Sequence, residues 1–88
     1  MQYPDHVEKY SGSLADLARD IGNMRYDSLA DFLNHLGDDL IRQATADKAG
    51  GRIKLASQLE KTAKELYKAG KKMLSVWEVC KPYMKRSG

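Results

Sequence analysis

Three groups of residues in this 88-residue chain have the types and spacing for chemistry. Asp31, His35 and Asp39 recur every four residues, so on a helix they share one face, with Asp38 beside them. A carboxylate one turn either side of an imidazole favours its protonated form, and such a set can start a divalent-metal site or a proton relay. The other histidine, His6, lies in the N-terminal arm and Cys80 is the one thiol, so a zinc or two-metal centre lacks donors. A solvated helix face accounts for the trio more simply. No metal and no cofactor is expected.

The second group is a set of lysines. Lys54, Lys61 and Lys68 stand seven apart, as do Lys64 and Lys71, with Lys72 alongside. On a helix each column rises about 10 Å per heptad, enough to meet successive phosphates of a nucleic acid or an anionic lipid surface. Yet the segment holds one arginine, Arg52, no aromatic shares the lysine face, and Glu60, Glu65 and Glu78 interrupt the field. Bidentate phosphate recognition and base stacking both lack their residues. Anion binding is the alternative reading of this face, and a solvated surface the first.

Cys80-Lys81-Pro82 is the third group. Cys80 falls in line with apolar residues, as a small core residue does, and one neighbouring lysine does not make a nucleophile of it. No nucleophile–base–acid set, glycine-rich phosphate loop or nucleotide motif appears, and Gly50-Gly51 reads as a turn. The chain is expected not to be an enzyme.

What positions these residues is a long helix in the last third. Ala56, Leu59, Ala63, Leu66, Gly70, Met73, Trp77, Cys80 and Met84 alternate at spacings of three and four, the a/d pattern of helix-on-helix packing. One column, Ala56-Ala63-Gly70, carries almost no side chain, which lets a second backbone approach closely. Ile53, Tyr67 and Leu74 at e, with Leu55, Ala69 and Val76 at g, widen the apolar stripe beyond what one partner covers. The long helix must touch at least two neighbours.

Upstream, residues 1–12 read as an arm. Ser13 opens a first helix with Asp16 three residues on, and Gly22-Asn23 stops it through the left-handed conformation. Asp27 and Ser28 cap a second, in which Leu29, Phe32, Leu33, Leu36, Leu40, Ile41 and Ala44 keep one face across Gly37. The segment from Ser13 to Gly22 matches Ser28 to Gly37 at five of ten positions. An echo so short reports one way of starting an amphipathic helix, used twice, since a solenoid needs longer units in three or more copies. Gly50-Gly51 turns the chain, and Pro82 ends the long helix.

Charge divides along the same line. Residues 1–47 hold nine acids and four bases, a net of −5; residues 48–88 hold eleven bases and three acids, a net of +8. The economical reading folds the acidic half back on the basic half. The longest apolar runs are two or three residues, so no membrane span is expected. Met1 to Tyr10 lacks the apolar stretch of a secretory signal, and a single cysteine suits a reducing compartment, so the cytoplasm is the expected location.

The expectation is one all-α domain over 1–88: a small antiparallel bundle of three helices, 13–22, 28–48 and a long C-terminal 52–81, with an arm at 1–12 and a basic tail at 83–88. The long helix should overhang its partner by a few turns, leaving Met73, Leu74, Trp77, Cys80 and Met84 as an interface unless the first helix covers them. The function expected is a helical protein–protein interaction or regulatory module, with a protein partner or self-association. The alternative is a nucleic-acid-binding accessory protein using Lys54, Lys61, Lys64, Lys68, Lys71 and Lys72.

Overall fold

A computed structural model describes residues 3–83 and shows an all-α chain of three helices. α1 is Leu14–Gly22, α2 Tyr26–Ala49 and α3 Ile53–Cys80, followed by one 3-10 turn at Lys81–Tyr83. The expected Met84 interface position and most of the basic tail lie outside the described residues.

Each helix boundary has a local cause. At α1, Ser13 Oγ accepts the Asp16 N–H at 3.0 Å, and Asp16 Oδ2 accepts the Ser13 N–H at 3.1 Å. These reciprocal bonds complete the capping box, and the Ser13 N–H donated to the carboxylate, with the Ser13 hydroxyl beside it, holds the Asp16 carboxyl below its ordinary range by favouring the ionised form. The stop at Gly22-Asn23 needs no left-handed residue. Asn23 closes the turn at φ −86° by donating back to Arg19 O at 3.0 Å.

α2 begins two residues before Ser28. Arg25 grips the Asp27 carboxylate through Nε at 2.7 Å and Nη2 at 2.9 Å, and Asp27 Oδ1 accepts the Ser28 N–H at 2.9 Å. That charged pair orders the first turn where Asp27 and Ser28 were expected to cap it, and the helix then runs unbroken through Gly37. Gly51, at φ +85°, takes the left-handed conformation that turns the chain. Arg52 ties the turn shut. Its N–H donates to Asp47 O and its Nε to Asp47 Oδ1, each at 2.8 Å.

α2 and α3 form an antiparallel hairpin. The small-residue column of α3 meets a matching column on α2, Ala30-Gly37-Ala44, and all six residues are buried. Ala44 and Ala56, Gly37 and Ala63, and Ala30 and Gly70 are pairwise equidistant from Gly50, so small residue faces small residue along the seam. A Cβ added at Gly70 would lie 2.6 Å from Asn34 Oδ1 and 3.3 Å from Ala30 O. A side chain there would have to displace the Asn34 carboxamide and press on the Ala30 carbonyl.

The third helix of the expected bundle stands apart from the long one. α1 meets α2 across the short Asn23–Arg25 link, and no Cα of α1 lies within 8 Å of one in α3. The chain is therefore elongated, 53 × 29 × 14 Å, with a radius of gyration of 16.0 Å. A compact domain of this length would have about 12 Å.

Candidate interaction face

Close approach of small residues leaves the large apolar side chains no interior of their own. Among the described residues no large side chain is fully buried; the buried apolar residues are Ala30, Ala44, Ala56 and Ala63. At about 100° per residue, Leu29, Leu33, Leu36, Leu40 and Phe32 fall to one side of the α2 seam. Leu55, Leu59, Leu66, Met73 and Val76 fall to the corresponding side of the α3 seam. An antiparallel pair is related by a two-fold axis normal to its plane, so both sides point the same way. The leucine stripes of both helices share one side of the hairpin, while most of the charges lie toward the other together with exposed Ile41, Ile53 and Leu74.

The margins of the leucine side are exposed, whereas Leu29, Leu33, Leu40, Leu59, Leu66 and Met73 are half-buried. Phe32 is 37 %, Leu36 39 %, Leu55 43 % and Val76 41 % exposed. The N-terminal segment meets this side at both of its ends. Tyr3 borders a shallow hollow with Gln43, Asp47, Leu55 and Leu59 at the turn end, and Gly22 borders one with Met24, Trp77 and Cys80 at the other.

The overhang expected for Met73, Leu74, Trp77 and Cys80 shrinks to about two turns, because α2 starts early, and the link after α1 lies beside Trp77 and Cys80 at the end of α3. Trp77 is half-buried, with the Arg25 guanidinium 5.4 Å from its ring centroid. Met73 and Cys80 are half-buried and Leu74 is exposed. The apolar surface is thus continuous along the hairpin and not confined to that end. Sequence patterning supplied both stripes but not their common side, which only the antiparallel pairing sets.

The polar groups are arranged more loosely than their spacing suggested. His35 Nε2 stands 3.4 Å from Asp31 Oδ2, while Asp39 turns away to Arg42 Nε and Gln43 Nε2, both at 2.9 Å. Those bonds depress the Asp39 carboxyl below its ordinary range, the Arg42 bond contributing most. The trio is divided, and among the described residues no three His, Cys, Asp or Glu side chains are grouped to hold a metal ion.

Lys54, Lys61, Lys64, Lys68, Lys71 and Lys72 are all exposed. Lys68 reaches Glu65 at 3.3 Å within its own helix, and Lys68, Lys71 and Lys72 border a shallow groove with Ser75. The acidic half does not pair with them directly. The ion pair joining α2 to α3 runs the other way, from Lys48 Nζ to Glu60 Oε2 at 3.4 Å. The cross-helix bond made by an α2 acid is to a phenol: Tyr67 OH donates to Asp38 Oδ1 at 2.5 Å, which raises the Tyr67 pKa.

Among the described residues no helix is long and apolar enough to cross a membrane. Compared with family models, curated proteins and solved structures, the chain finds no match. What stands defined is an all-α helical hairpin with a small-residue seam and the leucine stripes of both helices on one side.

Proposed function

We propose that this protein is a non-enzymatic helical interaction module whose working part is the apolar face of the α2–α3 hairpin. The observation that carries this reading is the exposure of Phe32, Leu36, Leu55 and Val76 along the margins of the leucine side, while among the described residues only small apolar residues are fully buried. Contiguous apolar surface of this kind marks a protein-binding site. The single cysteine suits the cytoplasm as its setting.

Nucleic-acid binding through the lysine columns is the second reading, favoured by Lys61, Lys64 and Lys71 lacking an ion-pair partner among the described residues. The two readings separate by variant and by salt. Leu36→Glu with Val76→Glu should abolish capture of protein partners from extracts of the source cells, while Lys61, Lys64 and Lys68→Glu should leave it intact at low and high salt. Loss of capture in the lysine variant, with binding that weakens steeply as salt rises, would overturn the module reading in favour of phosphate recognition.

A further inference from the structure

The lysines of α3 have little local compensation. Each glutamate of the helix is already taken: Glu60 by Lys48, Glu65 by Lys68 and Glu78 by Lys81. Lys54, Lys61 and Lys72 have no ion-pair partner among the described residues. These three and Lys68 also share a side. Lys54 and Lys61 stand two residues before Ala56 and Ala63, and Lys68 and Lys72 stand two residues either side of Gly70. Two residues on a helix turn through about 200°, so all four occupy the edge of α3 that points away from the seam. Seen from that edge, α2 and its aspartates lie behind α3. One acid, Glu65, shares the edge, and Lys68 pairs with it at 3.3 Å.

The row of lysines ends in apolar surface. Val79, two residues past Trp77, continues the same line and is 70 % exposed. Tyr83, in the 3-10 turn that follows, is 82 % exposed. Val79 and Lys72 border one shallow hollow. From Lys54 to Val79 the edge measures about 37 Å. Solvation accounts for the lysines, but not for a valine that completes their row or a tyrosine exposed beyond it.

We infer that this edge docks on an anionic lipid surface, with Lys54, Lys61, Lys68 and Lys72 against headgroup phosphates and Val79 and Tyr83 entering the interface at one end. An ammonium group is a point charge that needs no fixed bidentate partner, so a row of lysines suits a fluid array of phosphates. Near such a surface each lysine is worth about fivefold in affinity. Tyrosine settles at headgroup depth, its ring among the acyl chains and its hydroxyl in water. A nucleic acid would meet the same lysines, but it would leave Val79 in water and find no arginine or aromatic ring along the lysine row to grip or stack on. The leucine side lies about a quarter turn away around α3, so lipid docking and protein capture use different surfaces.

Co-sedimentation with vesicles tests this. The full chain should pellet with vesicles of mixed phosphatidylserine and phosphatidylcholine, and stay in solution with phosphatidylcholine alone. Lys61→Gln, Lys68→Gln and Lys72→Gln combined should weaken binding about a hundredfold, the product of three fivefold losses. Val79→Ser with Tyr83→Ser, both at exposed positions, should weaken it about tenfold. Far-ultraviolet circular dichroism checks that the helices persist in each variant. Leu36→Glu should leave vesicle binding unchanged, so this inference and the protein-capture reading fail separately. A chain that ignores anionic vesicles at low salt overturns the inference. Binding that survives the glutamine variant, or that Leu36→Glu weakens, places the bilayer on another surface and also overturns it. Binding indifferent to the serine pair means that nothing enters the interface, with the same consequence. A double-stranded oligonucleotide held at salt concentrations that release the vesicles assigns the edge to nucleic acid instead.

Discussion

The ring of Tyr67 on α3 lies against Gly37 on α2, and its hydroxyl continues past to donate to Asp38 Oδ1 at 2.5 Å. A Cβ at position 37 would be 2.8 Å from Tyr67 Cε1. The glycine in mid-helix is therefore the space that the tyrosine occupies, and the interhelical bond depends on that space.

Gly37→Ala should accordingly destabilise the hairpin. Helix propensity gains about 1 kcal/mol, but displacing a packed ring costs about 1–3 kcal/mol, so a net loss of about 1 kcal/mol is expected in urea unfolding. In a Tyr67→Ala background the same substitution should become stabilising, because only the propensity gain remains. Additive effects in the double-mutant cycle would show that the ring and the glycine do not interact.

The seam tolerates no larger side chain at its centre. Ala63 is 0 % exposed, and Ala63→Leu forces apart two helices held at backbone distance. A loss at or above the upper end of the about 1–3 kcal/mol overpacking range is expected. Ala18→Leu, on the exposed side of α1, serves as the control and should change the midpoint by less than about 0.5 kcal/mol.

At the turn, Asp47 is 6 % exposed while the Arg52 side chain that grips it stays half in water. Removing the arginine strands a desolvated carboxylate; removing the aspartate leaves a guanidinium that solvent can reach. Arg52→Leu should therefore cost more than Asp47→Leu, with the loss for the former near about 2–3 kcal/mol. Equal losses in thermal unfolding would mean that solvent reaches Asp47 freely.

Alkaline pH should loosen the structure at two named bonds. Tyr67 donates to Asp38 and Tyr10 to Asp20 Oδ2 at 2.5 Å, and both phenol pKa values are raised by those bonds. A folded-state pKa above the unfolded value contributes stability that is complete below about 10 and is lost as pH climbs through the raised value. Tyr67→Phe and Tyr10→Phe should each flatten that decline in a series of urea midpoints. The Asp16 carboxyl works in the opposite sense. Its depressed pKa contributes stability present above about 4 and lost as pH falls through the folded value, so Asp16→Asn should reduce the acid-side slope.

Trp77 is the sole tryptophan, which makes its stacking on Arg25 directly observable. Arg25→Leu should lower the urea midpoint slightly through the lost cation–π contact. It also frees Asp27 and uncovers one ring face, so the emission should shift to the red. Unchanged emission would place the guanidinium elsewhere in solution.

Helix number, helix extent and the closing turn were all written in local order. Ser13 with Asp16, Gly50-Gly51 and Pro82 act through neighbours a few residues away, and so their effects could be read without knowing the fold. The error fell where a boundary depended on a less usual local pair: Arg25 with Asp27 starts α2 two residues before the expected start at Ser28. The Ala56-Ala63-Gly70 column announced a close helical neighbour, and the matching Ala30-Gly37-Ala44 column was equally legible beside it. Only the antiparallel pairing decided the rest. It set small residue against small residue, turned both leucine stripes to one side and left the lysines facing water, while Arg42 and Gln43 on its own helix drew Asp39 away from Asp31 and His35. Periodicity ranks residues around each helix axis, but the rotation of one helix against another is set by how closely their backbones can approach.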